Sequence, residues 1–597
     1  MKFSLKKKYH IIYLLFILSV FTYCAQIGSP TGGAKDEIPP TFLSSNPEMR
    51  ATNFEGEEIS IEFNEYLTEN LISKNLVVSP PMEETPEIRL KNKTLQVIFK
   101  DTLKEQTTYT LSFGEGIADL NESNVLQNFE FVFSTGENID SMRISGFVQY
   151  AFDLKMEEEK DVWVMVYTNL NDSTPFLQKP DFIARANKTG YFSIPNIPQK
   201  PFRILALIDQ NSNLLFDLPS EMIAFSDSLI NPFCEVELLM DTLQVVDSSL
   251  LDSLQTALID TILTTRDSIV IHQKTKFLPD SLQLFLFEED YKIQRVTDFQ
   301  RPQKGLLNMV LNKPYDSTFQ FRFLDNNPNY FTQHNAPNDS ITIWITDSLL
   351  FLADSVTIIC EYKKTDSLNQ LIQVADTIFF PFNFERNADI AEDTLILKSS
   401  VSQRFLDFHQ LPKLYFSHPI DSVVLERMKL SIKKDTVFVP IPFELLQDSI
   451  NSTLKYVKAD FKETELYELL LNDSTFIDYY GFTNDSVRYE FSKREEGFYG
   501  GLIFNFPNMN CNVILQLYNS SNALLQEYYA NVGEKIYLKY LTPNIYSLKL
   551  ILDTNNDGRW TTGNYLKAIV PEKVLFYESQ IEVKAGWENE IEWVLPQ

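Results

Sequence analysis

At 597 residues the chain has room for about four domains of roughly 150 residues, or five if they are regular β sandwiches of about 100. Its 44% hydrophobic content excludes global disorder, and 18 Gly and five His are lean for phosphate-binding loops or imidazole chemistry. The net charge of −29 argues against DNA or RNA as a partner, because phosphate backbones need a basic patch.

The first segment reads as a targeting signal. Lys2, Lys6, Lys7 and Lys8 precede the apolar run Ile11 to Val20. That run is shorter than the ~20 residues needed to span a bilayer and suits a cleaved signal peptide over 1–23. Cys24 closes it, and the turn-rich residues through Gly33 follow. A cysteine at this place resembles the lipobox of bacterial lipoproteins, although Tyr23 stands where a small residue is usual and Phe21 where Leu is usual. The resemblance implies a diacylglyceryl group on Cys24, a tether over 24–35, and the membrane as a partner through that lipid. It also implies an outer-membrane lipoprotein on the periplasmic or surface face of a cell envelope. Each buried methylene contributes about 0.8 kcal/mol, so two or more acyl chains hold firmly. Loss of 1–23 removes four Lys and no acid, which takes the net charge from −29 to −33 and favours solubility outside the cell.

Beyond the tether the signal is period two. Ile59, Ile61 and Phe63 alternate with Ser60, Glu62 and Asn64; Leu95, Val97 and Phe99 follow, then Tyr109, Leu111 and Phe113, and Phe129, Phe131 and Phe133. Such alternation predicts antiparallel strands with one buried face, and 46 Phe and 27 Tyr fit the same pleated surface. Only short stretches such as Glu65 to Leu71 look helical. Ile38-Pro39-Pro40, Ser45-Asn46-Pro47, the Ile59 strand, Leu76 to Pro80 and the Phe131 strand together resemble the SbsA-type bacterial Ig-like domain. That resemblance implies a sandwich over 36–137 and an extracellular setting.

Next comes a β module over 143–240. Tyr191 to Ile194, Ile197, Phe202 and Leu205 to Asp209 repeat, at one offset of 344, as Lys535 to Leu538, Leu541, Tyr546 and Lys549 to Asp553. Gly146-Phe147-Val148 opens one copy and Gly501-Leu502-Ile503 the other, over 497–597. Both resemble the transthyretin-like, carboxypeptidase-regulatory-like sandwich. The stretch 241–275, with recurrent Asp-Ser and Asp-Thr, is expected to be a partly helical linker. Region 276–390 reads as a β domain of no named family. Leu414 to Ile420, Leu466 to Leu469 and Val487 to Phe491 parallel the first Ig-like strands and predict a second, divergent copy over 391–496. The predicted fold class is therefore all-β: tandem Ig-like and transthyretin-like sandwiches.

Candidate chemistry is sparse. Asp553, Asn555 and Asp557 with Gly558, and Asp209, Asn211 and Asn213 with Asp217, place oxygen side chains as Ca²⁺ loops do. Neither loop has the Glu that completes an EF-hand, so hairpin turns in which Asp and Asn bond their own backbone are the alternative. No other cofactor is indicated. Asp followed by Ser or Thr, as at Asp101-Thr102, Asp339-Ser340 and Asp393-Thr394, resembles the acceptor motif of a bacterial O-glycosylation system, or is plain turn chemistry. Trp163, Trp560 and Trp593 are placed in cores or strand surfaces in preference to sugar sites. Cys234, Cys360 and Cys511 have no CxxC spacing, and Cys511 is expected to be a buried free thiol. The His residues show no HExxH, and no GxSxG or Walker loop is present. The first reading is a non-enzymatic structural or interaction protein whose partners are other envelope proteins or glycans. The alternative is a carbohydrate- or protein-binding module of an export or uptake complex, and the third is a divergent hydrolase.

Overall fold

The computed structural model describes residues 36–156, 160–246, 265–290, 293–324, 328–335, 337–366, 370–382 and 394–595. The signal segment, Cys24 and the tether lie outside them. The chain is all-β, and among the described residues its helices are short. Two compact units are formed: 1–148 with 156–216 and 228–284, and 149–155 with 217–227 and 285–597.

In the first unit, alternation becomes a sandwich. Glu58–Phe63 buries Ile59, Ile61 and Phe63 and turns Glu58 and Glu62 outward. It pairs antiparallel with Phe42–Asn46 and Thr94–Ile98, and Thr94–Ile98 pairs with Glu87–Lys91. The facing sheet is Val77–Ser79, Thr108–Ser112 and Glu130–Ser134. Leu111, Phe113, Phe131 and Phe133 close the core from that side. The expected helix at 65–71 forms instead at Glu69–Asn75. Leu67 bridges to Asp119 and the Thr68 hydroxyl donates to the Asp119 carbonyl, which holds the preceding residues extended.

One corner fixes this sandwich. The Tyr109 ring stacks on Phe133 at 5.3 Å, and its hydroxyl accepts the Lys104 N–H at 2.8 Å. The same corner recurs in the second unit at a constant offset of 358: Tyr467 stacks on Phe491 at 5.7 Å and accepts the Lys462 N–H at 2.6 Å. Tyr109 pairs with Phe133 and Tyr467 with Phe491 in the strand registers as well. A tyrosine hydroxyl closing a bend a few residues upstream is a hallmark of Ig-like sandwiches.

The next module packs directly on the first. The Ile183 N–H donates to the buried Ser79 Oγ at 3.0 Å, and the Asn196 amide to the Thr110 Oγ1 at 3.0 Å. Trp163–Tyr167 lies between Phe182–Arg185 and Arg203–Ile208, and Met142–Tyr150 pairs with Tyr191–Ile197. Gly146 allows a close approach, because a Cβ there would meet the Leu282 carbonyl oxygen at 2.0 Å.

Within the expected linker 241–275 the described ends, 241–246 and 265–275, are strand, and 247–264 lie outside the described residues. Phe233–Val246 and Thr265–Leu278 form an unbroken antiparallel hairpin from the pair Phe233 and Leu278 to the pair Val246 and Thr265. Thr242, Val245, Val246, Thr265 and Ile269 are β-branched residue types, which favour extended backbone over helix. Leu282–Glu288 also sits differently from its assignment to the middle domain: Glu288 and Phe287 pair with Met222 and Ile223.

In the second unit the middle core joins Leu307, Met309, Ile341, Ile343, Ile358, Cys360 and Phe380. Burial pushes the Cys360 thiol up to about 12. Arg301 is 6% exposed and spends its guanidinium on main-chain carbonyls. It donates to Lys304 at 2.9 and 2.6 Å, Ala353 at 2.8 Å, and Leu350 and Phe351 at 3.2 Å. Those last carbonyls end the helix Ser348–Phe351, where a cation complements the helix-terminal oxygens. Burial pulls Arg301 down to about 10. Arg301→Met should therefore lower stability by about 2–4 kcal/mol in urea titration, because carbonyls are left without a donor. A loss under about 1 kcal/mol would contradict this role.

Acid should unfold the protein by a stated route. Burial works to raise the Asp119 carboxyl, but four N–H donors from Asn121, Glu122, Ser123 and Asn124 outweigh it and hold the group below its ordinary value. The Asn451 N–H, the Tyr456 hydroxyl and the Ile450 N–H do the same for Asp448. A carboxyl depressed on folding adds stability above its unfolded value, and that share is lost as pH falls. The melting midpoint should thus hold between roughly pH 6 and 8 and fall below about pH 4. Asp119→Asn should flatten part of that slope.

Candidate functional site

Four hydrogen bonds recur between the two Asp-bearing loops, while, among the described residues, the Ser212 N–H to Asp209 bond at 2.7 Å belongs to the first alone. The Asp209 carboxylate accepts the N–H of Asn213 at 3.4 Å and of Leu214 at 2.8 Å. Its counterpart Asp553 accepts the N–H of Asp557 at 3.1 Å and of Gly558 at 3.0 Å. Asn211 takes the Asn213 N–H at 3.3 Å, as Asn555 takes that of Asp557 at 2.9 Å. Asn213 takes the Leu215 N–H at 2.8 Å, as Asp557 takes that of Arg559 at 2.8 Å. All four pairs stand at the offset of 344. Positive φ falls at Ser212 and Leu214, and again at Asn556 and Gly558. Leu214 adopts φ 59° with a side chain, whereas Gly558 reaches φ 74° without a Cβ penalty.

A buried glutamate supports the C-terminal loop. Glu572 accepts the Thr554 N–H at 2.7 Å and the Thr561 N–H at 3.0 Å. Glu221 accepts the N–H of Asp217 and Leu218 at 3.2 Å each. Sequence reasoning missed Glu572, because it lies beyond the window that a 12-residue calcium loop defines. The predicted oxygen donors therefore do hold a loop together, and they do it by accepting main-chain N–H groups. Among the described residues, no group of three or more His, Cys, Asp or Glu side chains is arranged to hold a metal. Asp217 belongs to the other compact unit from Asp209.

The remaining sequence candidates are scattered. Cys234 is exposed and Cys360 buried; Cys511 is half-buried instead of buried, since it precedes the strand Asn512–Tyr518 and stands at the sheet end. Burial, with Asp553 and Glu572 nearby, pushes its thiol up, away from the reactive thiolate. The His418 ring lies 2.8 Å from the buried Asp478, His409 stacks on Tyr540 and His334 contacts Tyr315. Trp593 is buried against Tyr577, and Trp163 lies under the Arg185 guanidinium.

A cleft of about 890 Å³ at the middle β domain carries Asp290 and Asp316. Lys313 pairs with Asp290 at 3.1 Å and Lys363 with Asp316 at 2.7 Å. The Lys363 ammonium, with Thr318, holds the Asp316 carboxyl well below the usual carboxylate range. Glycoside hydrolysis pairs a carboxylic acid of raised proton affinity with an ionised carboxylate, and Asp316 matches only the second of these.

Residues 36–135 match the family of bacterial Ig-like domains. Among solved structures, the chain aligns with the N-terminal part of the bacterial S-layer protein SbsC at 14% identity, over 29% of this chain and 42% of that one, with a TM-score of 0.13. A longer SbsC structure aligns at 10% identity over 91% and 67%, also with a TM-score of 0.13. The alpha-2-macroglobulin of E. coli aligns at 11% identity over 90% and 42%, with the same score. Alignments this loose assign neither an architecture nor a role. No curated protein matches the chain.

Asp553→Ala should strip two loop amides of their acceptor and cost about 1–3 kcal/mol. Because those oxygens already accept N–H groups, the melting midpoint of the full chain should be the same in millimolar Ca²⁺ and in chelator. A rise of several degrees with Ca²⁺ would show that the loop takes a cation.

Proposed function

We propose that this chain is a non-enzymatic lipoprotein of a bacterial envelope, anchored through Cys24, whose β modules hold a binding surface away from the membrane. The observation that carries this reading is the bacterial Ig-like domain at 36–135, immediately behind the segment read as leader, Cys24 and tether. The repeated tyrosine corner supports a second Ig-like module around Tyr467. The repeated Asp loops support a duplicated transthyretin-like module, at 143–240 and 497–597. The hydrogen bonds from Ile183 to Ser79 and from Asn196 to Thr110 join the first two modules without a hinge, as a spacer requires. No helix of the described residues is long and apolar enough to cross a membrane, so the reading assigns attachment to lipid.

The test is expression in a Gram-negative host with radiolabelled palmitate. Wild-type protein should incorporate label and sediment with membranes, and Cys24→Ser should lose both. Membrane fractionation that survives Cys24→Ser would overturn the anchor.

A further inference from the structure

The C-terminal module carries a second cleft, of about 560 Å³, on the outer side of its larger sheet. Its floor is Ile514 and Ile551, both nearly inaccessible, from the paired strands Asn512–Tyr518 and Asn544–Asp553. Two aromatic rings flank that floor. Trp560 is locked in place: its indole N–H donates to the Glu572 carbonyl at 2.9 Å, and its ring meets Phe152 edge-on at 5.0 Å. Tyr529 is 59% exposed. The polar wall is a hydrogen-bonded network. Gln516, 5% exposed, donates from its amide to Glu527 at 2.6 Å, and the Tyr529 hydroxyl donates to the other Glu527 oxygen at 3.0 Å. The Arg559 side chain is exposed at the rim, and among the described residues its guanidinium makes no hydrogen bond or ion pair.

We infer that this cleft binds a neutral oligosaccharide. A sugar ring has an apolar face of C–H groups and a rim of hydroxyls that both donate and accept. The Trp560 and Tyr529 rings meet the first, Trp560 seated on Ile514 and Ile551 and held by its indole N–H, with little side-chain entropy to lose. The exposed Glu527 carboxylate accepts from hydroxyls, while the Arg559 guanidinium donates to them. One acid and one base leave the lining without net charge, which disfavours a strongly anionic or cationic ligand. The volume falls within the roughly 300–1,000 Å³ of ligand clefts.

The duplicated module sharpens the assignment. At the offset of 344 the counterpart of Trp560 is Phe216, which is buried and packs on Phe176 at 5.2 Å. The counterpart of Arg559 is Leu215 and that of Tyr529 is Arg185, whose guanidinium covers Trp163. The shared loop bonds build the framework in both copies, but only the C-terminal copy places an indole, a phenol and a guanidinium together on the surface. The binding surface inferred here belongs to the envelope protein proposed above and does not depend on its lipid anchor.

The test uses the full chain without its leader on an array of immobilised neutral gluco-, manno-, galacto- and N-acetylglucosamine oligosaccharides, followed by titration calorimetry with the strongest binder. Wild type should bind at least one of these, with a shift in tryptophan emission. Tyr529→Ala and Arg559→Ala, both at exposed positions, should keep the melting midpoint and weaken binding at least tenfold. Absence of binding across the array, or binding indifferent to both variants, would overturn the assignment. Either result would leave the palmitate experiment on Cys24 unaffected.

Discussion

The structure depends on how buried main-chain N–H groups are satisfied where strands turn. Between strands, ladder partners run out, and an unpaired buried amide costs as much as a lost hydrogen bond. This chain meets the demand with carboxylates. Asp119 takes four N–H groups, Asp478 takes those of Tyr480 and Phe482, and Asp553 and Glu572 share the C-terminal loop. Part of the acidity is thereby structural. A charge that looks like a solvated surface in composition is, at these positions, the acceptor that lets a strand end inside the protein.

Repetition follows from the same economy. A tyrosine corner and an Asp loop are each a compact solution to a bend, and each is reused at a constant offset with its main hydrogen bonds kept. What varies between copies is what the bend is not using. Leu214 tolerates a left-handed backbone that costs a side-chain-bearing residue about 1–2 kcal/mol, while Gly558 avoids it. Tyr480 adds a further use of a turn held by an acid: Asp478 fixes its N–H, and its hydroxyl reaches the Ile345 carbonyl at 2.6 Å while its ring stacks on Phe351 at 4.0 Å.

Period-two alternation made the sandwiches legible, because Ile59, Ile61 and Phe63 can face one core only from a strand. The repeat at offset 344 was legible for the same reason that it folds twice: the loop is specified by local residues. The hairpin around 241–275 was not, since Asp-Ser and Asp-Thr steps resemble turn chemistry and only register with a distant strand reveals the pairing. Arg301 was equally hidden, because its partners are carbonyls and carbonyls have no sequence signature. The cleft at Trp560 draws residues from Phe152, Gln516, Tyr529 and Arg559, which no local window unites.

That last difference separates scaffold from site. Local bonds reproduce a loop wherever its residues recur, so conserved geometry between the two copies says nothing about ligand. A site needs side chains that the fold holds still but does not consume. Trp560 spends its N–H on Glu572 and keeps ring surface uncovered; Arg559 spends only its main-chain N–H, on Asp557. In the earlier copy the corresponding ring is buried against Phe176. The same bend thus ends in packing in one module and in surface chemistry in the other, and the physical distinction lies in which side-chain atoms remain unspent.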